Sequence, residues 1–224
     1  MPDTHILLVS DIHLGSRMCQ TDRILSLLEK SRFDALVING DLFDSDKAKK
    51  LTPEHWQVVA RLAEIAARKP VFLIGGNHGR DLDTIAKRIG ITVQDDYAFT
   101  LAGTRFLCIH GDEFDPFVKH MPLTSEIFSQ IFYLIQRVNG PRQRSSMFIK
   151  KLSKHILRVS TRTRRLAFKR GKARNVNVII CSHTHVPHVE TKDDVLYINS
   201  GSFCESPSTY VTISKTGKAE LCEV

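Results

Sequence analysis

The chain has 224 residues, 42% of them hydrophobic, and a formal net charge of +8. That length and apolar content support one full core with an insertion rather than two equal domains. No apolar run reaches the roughly eighteen residues that a membrane-spanning helix needs. The N-terminus enters a strand-like stretch without the basic and apolar regions of a secretory leader, so we expect a cytoplasmic protein, at most peripheral to the inner membrane.

In chain order, a strand is expected over 5–10, followed by an amphipathic helix carrying Ile24, Leu25, Leu27 and Leu28. A strand at 35–38 precedes a helix that begins near Pro53 and carries Trp56, Val59, Leu62, Ala63 and Ala66. Strand 71–74 is followed by a helix with Leu82, Ile85, Ala86 and Ile89 that stops at Gly90. Such alternation argues for a parallel or mixed sheet covered on both faces. The segments Tyr97-Thr100 and Thr104-Ile109 flank an Ala102-Gly103 turn and read as a hairpin. Residues 117 to about 174 read as helical, with a break at Gly140-Pro141, and strands are expected at 177–181, 186–190, 195–199, 209–214 and 218–223. The fold class is therefore α/β, with two packed sheets between helices.

The charge is concentrated. Between Arg137 and Arg174 there are fourteen Lys or Arg and no Asp or Glu, leaving eighteen basic and twenty-four acidic residues elsewhere. A mildly acidic body thus carries one basic block, which calls for an anionic partner: a phosphorylated substrate, an anionic membrane surface or nucleic acid. The five cysteines are widely spaced without a C-x-x-C pair and are expected to be reduced, with Cys108 and Cys181 serving as small core residues.

Five polar clusters close apolar, strand-like runs: Asp11-Ile12-His13, Gly40-Asp41, Gly76-Asn77-His78, His110-Gly111-Asp112 and His183-Thr184-His185. Strand ends along one edge of an α/β sheet are where such folds build sites. Carboxylate oxygen, amide oxygen and imidazole nitrogen together suit two hard or borderline dications near phosphate. On an extended segment the i, i+2 spacing of Asp11 and His13, and again of His183 and His185, turns both side chains the same way. Asp41 is the candidate bridge, while Asn77 and His110 complete a set of seven donors.

These residues resemble the pattern of the calcineurin-like metallophosphoesterase superfamily, which runs D-x-H, G-D-x-x-D, G-N-H-[DE], H and G-H-x-H. The chain supplies Asp11-Ile12-His13, Gly40-Asp41-Leu42-Phe43-Asp44, Gly76-Asn77-His78, His110 and His183-Thr184-His185. The resemblance implies a four-layer α-β-β-α sandwich with a basic helical insertion at about 117–174 in one domain spanning 1–224. It implies one ion on Asp11, His13, Asp41 and His185 and a second on Asp41, Asn77, His110 and His183. Manganese is the first expectation, with iron, zinc or cobalt as alternatives. His78 would act as proton donor to the leaving group, and Arg17 and Arg80 would contact phosphate.

Two positions depart from the pattern. Gly79 stands where the family has a carboxylate, so the usual orienting partner of His78 is either missing or supplied from Asp81; Ser182 stands where the family has glycine, which is tolerated if its φ is negative. Within the superfamily, Ser10-Asp11-Ile12-His13-Leu14-Gly15-Ser16-Arg17, the segment His110-Gly111-Asp112-Glu113-Phe114-Asp115 and the helical insertion resemble the UDP-2,3-diacylglucosamine diphosphatase-like branch. That implies cleavage of a diphosphate in a nucleotide-linked acylated sugar, on the route to lipid A. Apolar stripes mixed with Lys150, Lys151, Lys154, Arg158, Arg162, Arg164 and Arg165 would accept acyl chains at an anionic surface. Two alternatives are a nuclease or nucleotide phosphodiesterase that holds a phosphate backbone on the basic block, and a non-catalytic scaffold on the same fold.

Overall fold

Both faces of the central strands are buried, which is why they read as unbroken apolar runs. A computed structural model describes residues 4–116 and 147–224, with side chains in those ranges except over 147–155. The six-stranded first sheet has the order β11-β10-β1-β2-β3-β4, made of β1 (Thr4–Val9), β2 (Ala35–Asn39), β3 (Val71–Ile74), β4 (Thr92–Gln94), β10 (Thr209–Ser214) and β11 (Ala219–Glu223). The second has the order β5-β6-β7-β9-β8, made of β5 (Tyr97–Leu101), β6 (Thr104–Cys108), β7 (Val178–Cys181), β8 (His188–Lys192) and β9 (Val195–Asn199).

Strands β1, β2 and β3 run parallel in one sheet, and β6, β7 and β9 run parallel in the other. Alternate residues of each strand face opposite layers. Ile6 and Leu8 of β1 point to the other sheet and pack in a core with Val37, Phe106, Ile180 and Ile198. Leu7 and Val9 point outward, against helices α1 (Thr21–Lys30), α2 (Pro53–Ala66) and α3 (Asp83–Arg88). The outer face of the second sheet is covered by α4 (Met147–Ala173), whose Ala167 and Phe168 pack with Leu107, Ile179 and Tyr197. The order of layers is helix, sheet, sheet, helix.

Local chemistry sets the helix limits. Pro53 occupies the first turn of α2, where its missing N–H costs nothing, and the Thr52 N–H donates to His55 Nδ1 at 3.0 Å. The expected strands appear within a residue or two of their sequence limits, and among the described residues the three-residue edge strand β4 is the one strand added. The Gly140-Pro141 break and the helical reading of 117–146 lie outside the described residues. All five cysteines are free, and Cys108 and Cys181 are buried in strands. No described helix is long and apolar enough to cross a membrane.

Candidate metal centre

The C-terminal ends of β1, β2, β3, β6 and β7 each lead into one of the polar clusters, so two sheets deliver their donors to a common point. The connections there are not extended. Asp11, His13, Asp41, His183 and His185 all have φ between 48° and 63°, in the left-handed region. The expectation of two same-facing side chains on an extended segment is thus corrected: each D-x-H or H-x-H run is a sharp turn that re-aims its side chains. Turns 11–14 and 40–43 are held together by backbone bonds from Asp11 N to Gly40 O (3.2 Å), His13 N to Asp41 O (3.0 Å) and Leu14 N to Leu42 O (2.8 Å). A non-glycine residue held there costs of order 1 kcal/mol, a strain that gathers at functional sites. Ser182 is not among the positive-φ residues, so its side chain is accommodated and the strain falls on His183.

Two groups of donors converge within 4.8 Å: Asp11, His13 and His185, and Asp11, Asp41 and His110. Asp41 Oδ2 lies 3.8 Å from His13 Nε2 and 3.4 Å from His110 Nε2, between the two imidazoles. His185 Nε2 is 3.1 Å from Asp11 Oδ1, and Asn77 Oδ1 is 3.3 Å from His110 Nε2. The His183 ring stands edge-on to that of His110 at 5.2 Å. All seven expected donors are therefore in one neighbourhood, although His183 belongs to neither tight group.

Asp11 Oδ2 and both ring nitrogens of His13 are buried without a hydrogen-bond partner among the described residues. A buried polar atom left unpaired costs about 1–3 kcal/mol, so such orphans are rare unless something else satisfies them. Carboxylate oxygen and imidazole nitrogen orphaned side by side are what a divalent cation satisfies, and the residues fit the group. The glycines fit it too. A Cβ on Gly40 would come within 2.0 Å of His110 Nδ1, and one on Gly76 within 2.0 Å of Asp41 Oδ1.

Charge in the cluster follows from burial and pairing. Burial pushes the His13 imidazole down to about 4, the neighbouring His185 adding to this and Asp41 and Asp11 opposing it. Burial would also depress His110 and His185, but the Asp41 and Asp11 carboxylates beside them outweigh it and push each up to about 10. Burial would raise Asp41 and Asp11, yet the facing imidazoles hold both below the usual carboxylate range. Without a cation the cluster is thus tied up in buried ion pairs.

His110, His183 and His185 also have outer partners that orient them, and a carboxylate stands near His13 without a hydrogen bond to it. His110 Nδ1–H donates to Asn39 O at 2.9 Å, leaving Nε2 free to face Asp41. His183 Nε2 bonds Asp115 Oδ2 at 3.0 Å. His185 Nδ1 lies 3.5 Å from Glu205 Oε1, and His13 Nδ1 lies 3.6 Å from Asp44 Oδ1. Such partners set ring orientation and raise ligand basicity. Asp44 and Asp115 stand inside motifs visible in the sequence, while Asn39 and Glu205 carry no such signal.

The remaining site residues lie around the rim. The His78 ring is 5.3 Å from that of His13, and its backbone N–H donates to Asp41 Oδ1 at 3.0 Å. Asp81 is exposed and makes no hydrogen bond to His78, its own N–H donating instead to Asp46. Arg80 lies against Gly75, its guanidinium 3.2 Å from Asp95, and Arg17 is exposed.

Gly79 has φ +63°, and a Cβ there would meet the Phe43 Cβ at 2.4 Å. A carboxylate-bearing residue does not fit this turn, which accounts for the departure from the family pattern. Gly79→Asp is accordingly expected to destabilise the fold by about 2–4 kcal/mol, combining overpacking with left-handed strain, and to leave hydrolysis no faster. Urea unfolding and turnover of a small phosphodiester check the two halves.

Residues 5–217 match the family model of the calcineurin-like phosphoesterase superfamily domain. Among solved structures, an archaeal phosphodiesterase is similar with a TM-score of 0.53 at 14% identity, covering 98% of this chain and 99% of that one. The phosphoesterase Yfce from E. coli gives a TM-score of 0.50 at 19% identity, with 98% and 97% covered. Vps29 from Chaetomium thermophilum gives 0.52 at 9% identity, with 98% and 93% covered. At these identities the likeness is one of fold. No curated protein matches the sequence.

Proposed function

Because the chain belongs to the calcineurin-like phosphoesterase superfamily and is a metal-dependent phosphohydrolase, we propose that it cleaves the diphosphate of a UDP-2,3-diacylglucosamine-like, nucleotide-linked acylated sugar at a dinuclear centre. The observation that carries the dinuclear reading is the position of the buried Asp41 carboxylate between His13 and His110, with Asp11 Oδ2 and the His13 nitrogens orphaned beside it. Asp11, His13, Asp41 and His185 would hold one ion and Asp41, Asn77, His110 and His183 the other. Two divalent ions held there, manganese in first place, would activate a water for attack on phosphorus and offset charge on the phosphoryl oxygens.

The chain's own groups do the rest. Wholly or partly buried at the ends of packed strands, the donors are preorganised and need not rearrange as charge develops. His78, anchored by its backbone to Asp41 with its ring beside that of His13, would give a proton to the leaving oxygen. Arg80 and Arg17, on the loops that follow the strands, would hold the non-reacting phosphate.

The basic helix supports an anionic, lipid-linked substrate, within one domain of 1–224 whose insertion runs over about 117–174. A cleft of about 260 Å³ between α4 and the β8–β9 hairpin is lined by Arg164, Arg165, Lys169, Lys172 and Lys192, against Glu190 and Asp193. Part of the charge is internally matched: Arg164 pairs with Glu190, Arg170 with Glu113, Lys172 with Asp193 and Arg174 with Asp96. Arg158, Arg162, Arg165 and Lys169 are exposed and outside any ion pair among the described residues, Arg162 donating to Phe114 O, so they are the helix cations available to headgroups. Lys150, Lys151 and Lys154 lie among residues whose side chains are not described.

The test is a side-by-side assay with manganese on a UDP-linked diacylated sugar and on single-stranded DNA. Release of a nucleoside monophosphate from the sugar nucleotide, with DNA intact, is expected. Turnover of DNA with the sugar nucleotide intact would replace this substrate with a phosphate backbone.

A further inference from the structure

Ser182, the residue that departs from the family's glycine, ends β7 fully buried and bonded on every side. Its N–H donates to His110 O at 2.9 Å, its hydroxyl donates to Asn39 O at 2.8 Å, and its carbonyl accepts from Asn199 Nδ2 at 2.9 Å. Asn39, at the end of β2, is equally buried and answers from the other sheet. Its side-chain Nδ2 donates to the Ser182 hydroxyl oxygen and to Ile109 O (3.0 Å), and its carbonyl accepts both the Ser182 hydroxyl and His110 Nδ1–H. Because Nδ2 faces two oxygens that need a donor, the orientation of this amide is fixed.

The consequence is geometric. Asn39 immediately precedes Gly40-Asp41, Ile109 precedes His110, and Ser182 precedes His183. One pair of polar side chains therefore ties together the three strand ends, drawn from both sheets, that present Asp41, His110 and His183. Apart from Asn39 Oδ1, which has no hydrogen-bond partner among the described residues, the polar atoms of the pair are satisfied, and a buried network of this kind favours one arrangement. Most of the interior between the sheets is apolar, packed from residues such as Leu8, Val37, Cys108 and Ile180, and the other polar tie at this edge, Ser10 Oγ to Ser200 Oγ at 2.8 Å, lies beside Asp11 rather than His110 or His183.

We propose that Asn39 and Ser182 are a positioning pair that sets the spacing of His110 and His183 around Asp41, and with it the affinity of the second of the two ions. The proposal rests on the dinuclear reading above. Of the first ion's remaining donors, Asp11 and His13 lie on a turn that the pair does not bond, and the turn leading to His185 is held by the Ser182 backbone carbonyl, which accepts from Thr184 N, rather than by the hydroxyl.

The test is calorimetric titration of the metal-stripped protein with manganese, alongside its melting temperature, for wild type, Ser182→Ala and Ser182→Gly. Both variants keep the backbone, since Ser182 has a negative φ, and both remove the hydroxyl. The expected result is two ions bound by wild type, with the weaker site falling about 10–100-fold in both variants and the tighter within threefold. Two sites of unchanged affinity in the variants, even with a lower melting temperature, would make the pair merely structural and overturn the proposal. A wild type that binds fewer than two ions would instead overturn the dinuclear reading, and the pair's role with it.

Discussion

Asp41→Asn is expected to lower kcat/KM on any accepted phosphodiester by about a thousandfold or more, equivalent to roughly 4 kcal/mol of transition-state stabilisation. Asparagine keeps the volume and an oxygen to accept the His78 N–H, so the turn at 40–43 has no steric reason to move. What it removes is the negative charge that lies between His13 and His110 at 3.8 and 3.4 Å. If Asp41 bridges, one substitution weakens both ions, and metal content after dialysis should fall below one per chain. A variant that holds two ions and turns over within tenfold of wild type would mean that Asp41 is a neighbour of the centre rather than its bridge.

Gly40→Ala should be as damaging, for a different reason. Its φ of +92° disfavours any side chain, and its Cβ would stand 2.0 Å from His110 Nδ1, inside the contact that Nδ1 makes with Asn39 O. Overpacking and left-handed strain together predict a loss of about 2–5 kcal/mol in stability, with the His110 ring driven off its orientation toward Asp41. Gly103→Ala is the control. Gly103 has φ +79° but nothing within 4 Å of the added carbon, so it should show the strain alone, about 1 kcal/mol, with turnover unchanged. Equal losses of stability and activity in the two variants would show that the close approach to His110 has no weight.

Much of this was legible in the residues because buried parallel strands announce themselves as unbroken apolar runs, and their ends as abrupt polarity. Ile6-Leu7-Leu8-Val9 followed by Ser10-Asp11 shows both signals within six residues. Thr92–Gln94 shows neither, being a short edge strand paired to β3 alone, and so could not be seen. The seven candidate donors were legible for the same reason as the strands. How they are aimed was not, because the left-handed turns at Asp11, His13, Asp41, His183 and His185 depend on backbone bonds between loops far apart in sequence.

The orienting residues divide along the same line. Asp44 and Asp115 fall within motif segments that already drew the eye, whereas Asn39 reads as an ordinary strand end and Glu205 as part of a loop. Their roles exist only once β2, β7 and the loop after β9 meet in space. Gly79 is the converse. Read in the sequence it is a missing carboxylate, but against Phe43 it is the residue the turn requires.

The central claim, metal-dependent phosphoester hydrolysis at this cluster, is tested most directly by stripping the protein with a chelator and following hydrolysis of bis(p-nitrophenyl) phosphate as manganese is returned. The account predicts no turnover in the stripped protein and a rise that levels off at two equivalents per chain. Turnover that survives stripping, or none at any manganese concentration, would contradict it.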